Sequence, residues 1–160
     1  MLYQLISTEM SQLITRMLST KDLINYFRKD FQFSGVFPLN RLPIKLQKKP
    51  AKLIKNLDAN YLPGSHWLAI YLSKNGSAFY FDPFGNPPPD EIATFLDRNA
   101  KKGWLYNADK IQANNSIYCG FYRIVFLKSC PNIRKFYKAV KACHNNDNII
   151  LKYIKAARRQ

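Results

Sequence analysis

Acidic residues are scarce in this chain. Its 160 residues include ten Asp and Glu against twenty-five Lys and Arg, for a net charge of +15 at pH 7 and a pI near 9.9. A field of that strength draws polyanions, and nucleic acid is the natural one, because phosphate contacts supply most non-specific affinity. Long apolar runs are missing too. No stretch approaches the roughly 18 residues of a membrane span, so no membrane partner is expected. The first residues lack a basic region followed by an apolar stretch and a small-residue cleavage site, which argues against secretion. Only three cysteines occur, an odd number at wide spacing, which excludes a disulfide scaffold and points to a reducing, intracellular setting. Repeats, low-complexity tracts and composition breaks are absent, so a single domain over 1–160 is expected. What is present is a core: 47% of residues are apolar and 14% aromatic, the profile of a folded chain.

The strongest strand signal is HWLAIYLS (66–73) followed by SAFYFDPF (77–84), joined by Lys74-Asn75-Gly76. A three-residue hairpin loop wants a left-handed residue last, and Gly76 supplies it. That register pairs Ser73 with Ser77, Leu68 with Asp82 and His66 with Phe84, so that His66 and Asp82 lie diagonally on one face. A two-residue Asn-Gly turn would put them on opposite faces. Both strands are apolar throughout, as expected of a sheet covered on both sides. Around them, the pattern predicts a helix over 7–18 and a second helix to about Phe31 behind the capping box Ser19/Asp22. It also predicts a loop over 34–43 and an exposed basic segment over 45–55. Pro89, Asp90 and Glu91 start a helix to about Lys101. An extended segment follows over 103–112, then a buried apolar helix over 119–130 stopped by Pro131, then basic helices near 132–143 and 147–159.

Cysteine attack on a carbonyl needs a thiolate, a base, a group that orients the base, and donors for the oxyanion. Cys119 stands just before the apolar helix, and a helix N-terminus favours a thiolate through its dipole and free amides. Gly120 leaves room for substrate. Cys130 and Cys143 do not stand at a helix start and read as structural. His66 begins a core strand at a sheet end, whereas His144 lies in a polar turn and is uninvolved. Asp82 ends an apolar strand, where a carboxylate needs a partner. Gln112, seven residues before Cys119, carries an amide able to donate to an oxyanion. Each signal alone has a plainer explanation: a buried thiol, a structural strand-end imidazole, a turn-starting Asp before Pro83, a solvated glutamine.

Together the order and spacing are specific. GSHWLAIYL (64–72), YFDPFG (80–85) and IQANNSIYCGFY (111–122), with a weaker match in YFRKDFQFSGVFP (26–38), resemble the adenovirus-type maturation proteases. These are related to the proteases that cut ubiquitin-like proteins. The resemblance implies an α/β, papain-like cysteine protease fold with rearranged chain order: a central, mainly antiparallel sheet flanked by helices, with the nucleophile at the N-terminus of a central helix. It implies Cys119 as nucleophile, His66 as general base and acid, Asp82 as the group orienting the imidazole, and Gln112 with the Cys119 N–H as oxyanion hole. Gly64, Ser65, Trp67 and Gly120 would line the substrate site, with Trp67 sheltering the pair from water. No metal and no cofactor are needed for the chemistry. The seven-residue Gln112 spacing and Asp-Pro-Phe-Gly are adenoviral features, whereas an Asp in place of Glu is the ubiquitin-type choice. The segment between Asp82 and Cys119 is shorter than in either branch.

The resemblance further implies a viral endopeptidase that cuts capsid and virion precursors at glycine-containing sites, in host cytoplasm or nucleus and inside the particle. The small size and AT-rich residue usage favour a virophage or a Maverick/Polinton-type element as source. DNA is expected to bind non-specifically and to act as an activator, through Lys45, Lys48, Lys49, Lys52, Lys55, Arg158 and Arg159. The adenoviral peptide activator lacks a matching cysteine, since none lies between Asp82 and Cys119. The alternatives are a deubiquitinase or ubiquitin-like-protein protease, and a non-enzymatic basic DNA-binding protein.

Overall fold

The structure, a computed structural model, describes residues 14–57, 66–142 and 144–157. In chain order the elements are α1 (Thr20–Phe27), β1 (Phe33–Phe37), a 3-10 turn (Leu39–Arg41), β2 (Ala51–Asn56), β3 (Trp67–Leu72), β4 (Ala78–Phe81), α2 (Asp90–Asn99), β5 (Trp104–Tyr106), α3 (Cys119–Ser129), α4 (Ile133–Ala139) and α5 (Asp147–Ala156). The strands form one sheet in the order β1-β2-β3-β4-β5. The central pairs, β2/β3 and β3/β4, are antiparallel, and the outer pairs, β1/β2 and β4/β5, are parallel. This is the α/β, papain-like arrangement expected from the sequence, antiparallel at its centre.

The β3/β4 hairpin has the register that the turn chemistry predicts. Gly76 takes φ +92°. The Ser73 N–H donates to the Ser77 carbonyl at 2.8 Å, and Ala69 faces Phe81 while Leu72 faces Ala78. Carrying that register outward sets His66 opposite Phe84. Ser19 and Asp22 form the reciprocal capping box that opens α1. The helix stops at Phe27 rather than running to Phe31, because Asp30 N–H bonds the Phe27 carbonyl and Phe33 N–H bonds that of Asp30, turning the chain into β1. Residues 14–18 form a turn, not the end of a helix; the rest of that predicted helix lies outside the described residues.

Two segments differ from expectation for one reason. Residues 33–37, all but the first of them in the loop predicted over 34–43, form an edge strand whose ladder is irregular between Phe33 and Gly35. Residues 51–56, all but the last of them in the segment 45–55 predicted as exposed and basic, form a buried strand between β1 and β3. A strand covered on both faces must hide its lysines, and the long alkyl stems allow it. Lys52 Nζ donates to Asp30 Oδ2 at 2.9 Å, and Lys55 Nζ to the Pro38 carbonyl at 3.2 Å.

Each face of the sheet carries its own apolar layer. Leu53, Leu68, Ile70, Leu72 and Tyr80 pack with Ile92, Phe95 and Leu96 of α2. On the other face, Ile54, Trp67, Ala69 and Phe81 pack with α1, α3, α4 and α5. Helix α3 is buried from Gly120 through Leu127. Fully burying each large apolar side chain stabilises the fold by about 1.5–3 kcal/mol, so α3 is fixed firmly against the sheet.

Candidate active site

His66 enters β3, and Asp82 leaves β4 on the same edge. Their diagonal placement brings His66 Nε2 to 2.9 Å from Asp82 Oδ1. The imidazole stacks on Phe84, its cross-strand neighbour, with ring centroids 5.0 Å apart and planes 27° from parallel. Asp82 is 1% exposed. Its Oδ1 also accepts from the Phe84 N–H at 3.0 Å, and its Oδ2 from Asn86 Nδ2 at 2.9 Å. Asn107 clamps the backbone of Asp82 from both sides, donating from Nδ2 to the carbonyl at 2.5 Å and accepting at Oδ1 from the N–H at 3.1 Å. Burial alone would raise the Asp82 carboxyl. The donors on His66 and Phe84 and the charges of His66 and Arg123 outweigh it, and the pKa lies below its ordinary value of 3.8. Asp82 is therefore an anion at neutral pH and takes the proton-bearing face of the ring. The Nε2–H donates to it, and Nδ1 is the nitrogen free to act as base.

Cys119 is the first residue of α3, half-buried and with a free thiol. The side chain that ties it to the hairpin is Arg123, one turn later and fully buried. Its Nη1 donates to the Cys119 carbonyl at 2.6 Å and to Gln112 Oε1 at 3.3 Å. Its Nη2 lies 3.5 Å from His66 Nε2 and 3.9 Å from Asp82 Oδ1. One guanidinium thus gathers His66, Asp82, Gln112 and the backbone of Cys119. Gln112 is 1% exposed, and its Nε2 donates to the Ser116 carbonyl at 3.3 Å. The loop that carries it is held against the Asp82 turn, where the N–H groups of Ile111 and Gln112 both donate to the Pro83 carbonyl. The start of α5 holds it from the other side. Asn146 Nδ2 donates to the Ile111 carbonyl at 2.7 Å, and Ser116 Oγ to Asp147 Oδ1 at 2.8 Å.

The close fit of loop and turn depends on Gly85. It has φ +76°, and a Cβ there would lie 2.7 Å from the Ala108 carbonyl oxygen and 2.9 Å from Lys110 N.

Several expected site residues have other surroundings. Gly120 is buried, and a Cβ on it would lie 3.0 Å from Cβ and Cδ1 of Leu18, so its small size admits the segment before α1 against the helix. Trp67 is 3% exposed and belongs to the core under the site. Lys52 and Lys55 are buried, with their ammonium groups committed internally, and offer no surface to a polyanion. Lys45 and Lys48 are exposed, and Lys49 bonds the Asn99 carbonyl. Gly64, Ser65, Cys143, Arg158 and Arg159 lie outside the described residues. Cys130 is buried, with its Sγ against the Phe126 carbonyl and its thiol pushed up to about 12 by burial. His144 is exposed and bonds the Ala142 carbonyl.

Sequence reasoning missed Arg123, Asn86 and Asn107. The signal for Arg123 was a lone cation inside the apolar run GFYRIVFL, one helical turn after the cysteine.

The fold is similar to that of the ASFV pS273R protease, with a TM-score of 0.56 and 18% sequence identity over 72% of this chain. A selenomethionine form of that protease aligns at a TM-score of 0.49, also with 18% identity, over 72% of this chain and 58% of its own. The chain spans 57% of the first structure's length, and at such identity the likeness is one of fold. No family model and no curated protein matches the chain.

Proposed function

We propose that the chain is a viral cysteine endopeptidase that cuts capsid and virion precursor proteins at glycine-containing sites during particle maturation. The observation that carries this is the 2.9 Å contact between His66 Nε2 and the buried Asp82 carboxylate, joined through Arg123 to the helix that starts at Cys119. Cys119 Sγ attacks the scissile carbonyl as its proton passes to His66 Nδ1. Asp82 holds the ring and balances the imidazolium. The negative oxygen takes hydrogen bonds from the Gln112 amide and the Cys119 N–H. Collapse expels the amine, which takes the proton from Nδ1, and leaves a thioester that water hydrolyses with His66 again as base. The likeness in fold to a viral protease supports this reading, as does the resemblance of the sequence motifs to the adenovirus-type enzymes, with a virophage or Maverick/Polinton-type source. In the test, purified wild-type protein is incubated with capsid precursor, with and without DNA. Cleavage is expected, and Cys119→Ala should abolish it while the protein stays folded. A wild-type protein that leaves precursor intact in both conditions overturns the proposal.

Asp82, rather than Glu, is the one feature favouring the ubiquitin-directed branch. Labelling of Cys119 by a ubiquitin vinyl sulfone would move the substrate class there. DNA binding enters the proposal through the +15 charge. With Lys52 and Lys55 excluded, Lys45, Lys48 and the exposed cations of α4 and α5 (Arg134, Lys135, Lys138, Lys152 and Lys155) are the candidate contacts. Affinity that does not fall between 50 and 200 mM salt, a range over which phosphate contacts lose about 10³-fold or more, refutes it.

A further inference from the structure

The guanidinium of Arg123 costs free energy to bury, and nothing in the catalytic scheme above requires a cation at that point. Helix α3 is otherwise apolar from Gly120 to Leu127, and a leucine or methionine would fill the position without desolvating a charge. Its Nε has no partner among the described residues. What the group does make is a fork. Nη2 faces the His66–Asp82 contact, and Nη1 reaches the side-chain oxygen of Gln112.

A glutamine amide has two faces, one accepting and one donating, and an oxyanion hole works with only one of the two orientations. Here both ends are committed. Oε1 receives Arg123 Nη1 at 3.3 Å, and Nε2 gives one hydrogen to the Ser116 carbonyl at 3.3 Å. A flipped amide would set its NH2 against a guanidinium, which only donates, and its oxygen against a carbonyl, which only accepts. Both contacts would be lost. The orientation is therefore imposed, and it leaves the second Nε2 hydrogen for a ligand. Ser116 is in turn held by Asp147 through its hydroxyl.

We propose that Arg123 is a positioning residue that locks the Gln112 amide with its N–H toward the oxyanion. In doing so it couples the oxyanion donor to the same anion, Asp82, that orients His66. The inference rests on the cysteine-peptidase reading of the site. Lysine is the informative replacement, because it keeps the buried positive charge but has a single nitrogen that cannot straddle Gln112 Oε1 and the Asp82 side.

Steady-state cleavage of a peptidyl-Gly-Gly coumarin amide is compared for wild type, Arg123→Lys, Gln112→Ala and the double variant. Alongside it run hemithioacetal formation with a peptidyl-glycine aldehyde and alkylation of Cys119 by iodoacetamide. Each single change should lower kcat by about 10²- to 10³-fold with KM within about threefold, the scale of losing one oxyanion donor. The double variant should be no worse than Gln112→Ala. Aldehyde affinity should fall with kcat. Alkylation at an sp³ carbon forms no oxyanion and should stay within about threefold of wild type, a split that a merely structural role would not produce.

Losses that multiply in the double variant, or wild-type kcat in Arg123→Lys, overturn the proposal. So does an alkylation rate that falls in step with kcat. A wild-type protein that neither cleaves the amide nor binds the aldehyde is no peptidase. The clamp is then judged separately by NMR, where the Gln112 side-chain amide should exchange slowly in wild type and faster in Arg123→Lys. Equal exchange in the two proteins sinks the clamp itself.

Discussion

Replacing Asp82 by asparagine removes one charge and almost no volume, which makes it a sharp test of how the site is held. The carboxylate accepts from His66 Nε2 at 2.9 Å, Phe84 N at 3.0 Å and Asn86 Nδ2 at 2.9 Å, and it faces Arg123 Nη2 at 3.9 Å. An asparagine that keeps its oxygen toward His66 and Phe84 turns its NH2 toward the NH2 of Asn86, so that contact is lost unless Asn86 flips. The larger cost is electrostatic, because Arg123 is fully buried and loses its counter-ion. Breaking a buried ion pair by removing one partner costs about 3–5 kcal/mol. The 3.9 Å separation, and the bond that Arg123 keeps to the Cys119 carbonyl, place this one at about 2–3 kcal/mol. The sign with pH follows from the depressed carboxyl. The stability that Asp82 contributes is complete above its unfolded pKa of about 4 and is lost as pH falls through the lower, folded value. Urea unfolding at pH 7 should therefore show Asp82→Asn about 2–3 kcal/mol less stable, with the gap narrowing steadily below about pH 4. Cleavage should fall by about 10²- to 10⁴-fold in kcat, since the neutral side chain neither fixes the ring tautomer nor balances an imidazolium. Equal stability at pH 7, or a gap that stays constant into acid, would refute both the ionised state of Asp82 and its coupling to Arg123.

Three further outcomes are expected. Gly85→Ala drives a Cβ into the backbone at 108–110 and forces a non-glycine residue to φ +76°. It should cost about 3 kcal/mol or more and lower kcat by moving the Gln112 loop, measured by thermal unfolding and peptide cleavage. Gly120→Ala meets Leu18 at 3.0 Å and should destabilise by about 1–2 kcal/mol. A double variant with Leu18→Ala should be more stable than the two single losses add up to, and strict additivity would show that the two residues do not touch. Burial pulls the Lys55 ammonium down to about 8 from 10.5, so below pH 8 the fold carries a charge it disfavours, and that cost is relieved as pH rises from about 8 to 10.5. Lys55→Met should be more stable at pH 7 by up to about 3 kcal/mol and should lack the extra stability that wild type gains across that interval, as read by urea unfolding.

The parts of the molecule legible in the sequence were those governed by neighbours along the chain. Gly76 decides the loop length, the loop decides the register, and the register decides that His66 meets Phe84 and reaches Asp82. The Ser19/Asp22 box opens α1 by the same local logic. Where distant chain supplies the partner, the pattern misleads. Lys52 and Lys55 read as surface charges because their partners, Asp30 and the Pro38 carbonyl, lie on the far side of the β1–β2 connection. Gly35 and Pro38 signal a loop, yet pairing with β2 draws residues 33–37 into the sheet. Arg123 is the clearest case. Its contacts lie 57 residues away at His66 and 11 away at Gln112, and no periodicity within α3 announces them. Gly120 beside Cys119 suggests room for substrate, and the contact with Leu18, about a hundred residues earlier in the chain, is a second use that no local pattern announces.

The wide sequence separation of the Arg123 contacts also orders events during synthesis. The hairpin that holds His66 and Asp82 closes over a short loop and leaves the ribosome first, while the helix bearing Cys119 and Arg123 follows dozens of residues later. Until that helix docks, the imidazole and carboxylate have no thiol, the thiol has no base, and Gln112 has nothing to fix its amide. On the proposed peptidase reading, the site is therefore assembled only once α3 has docked, and that order is written into the topology.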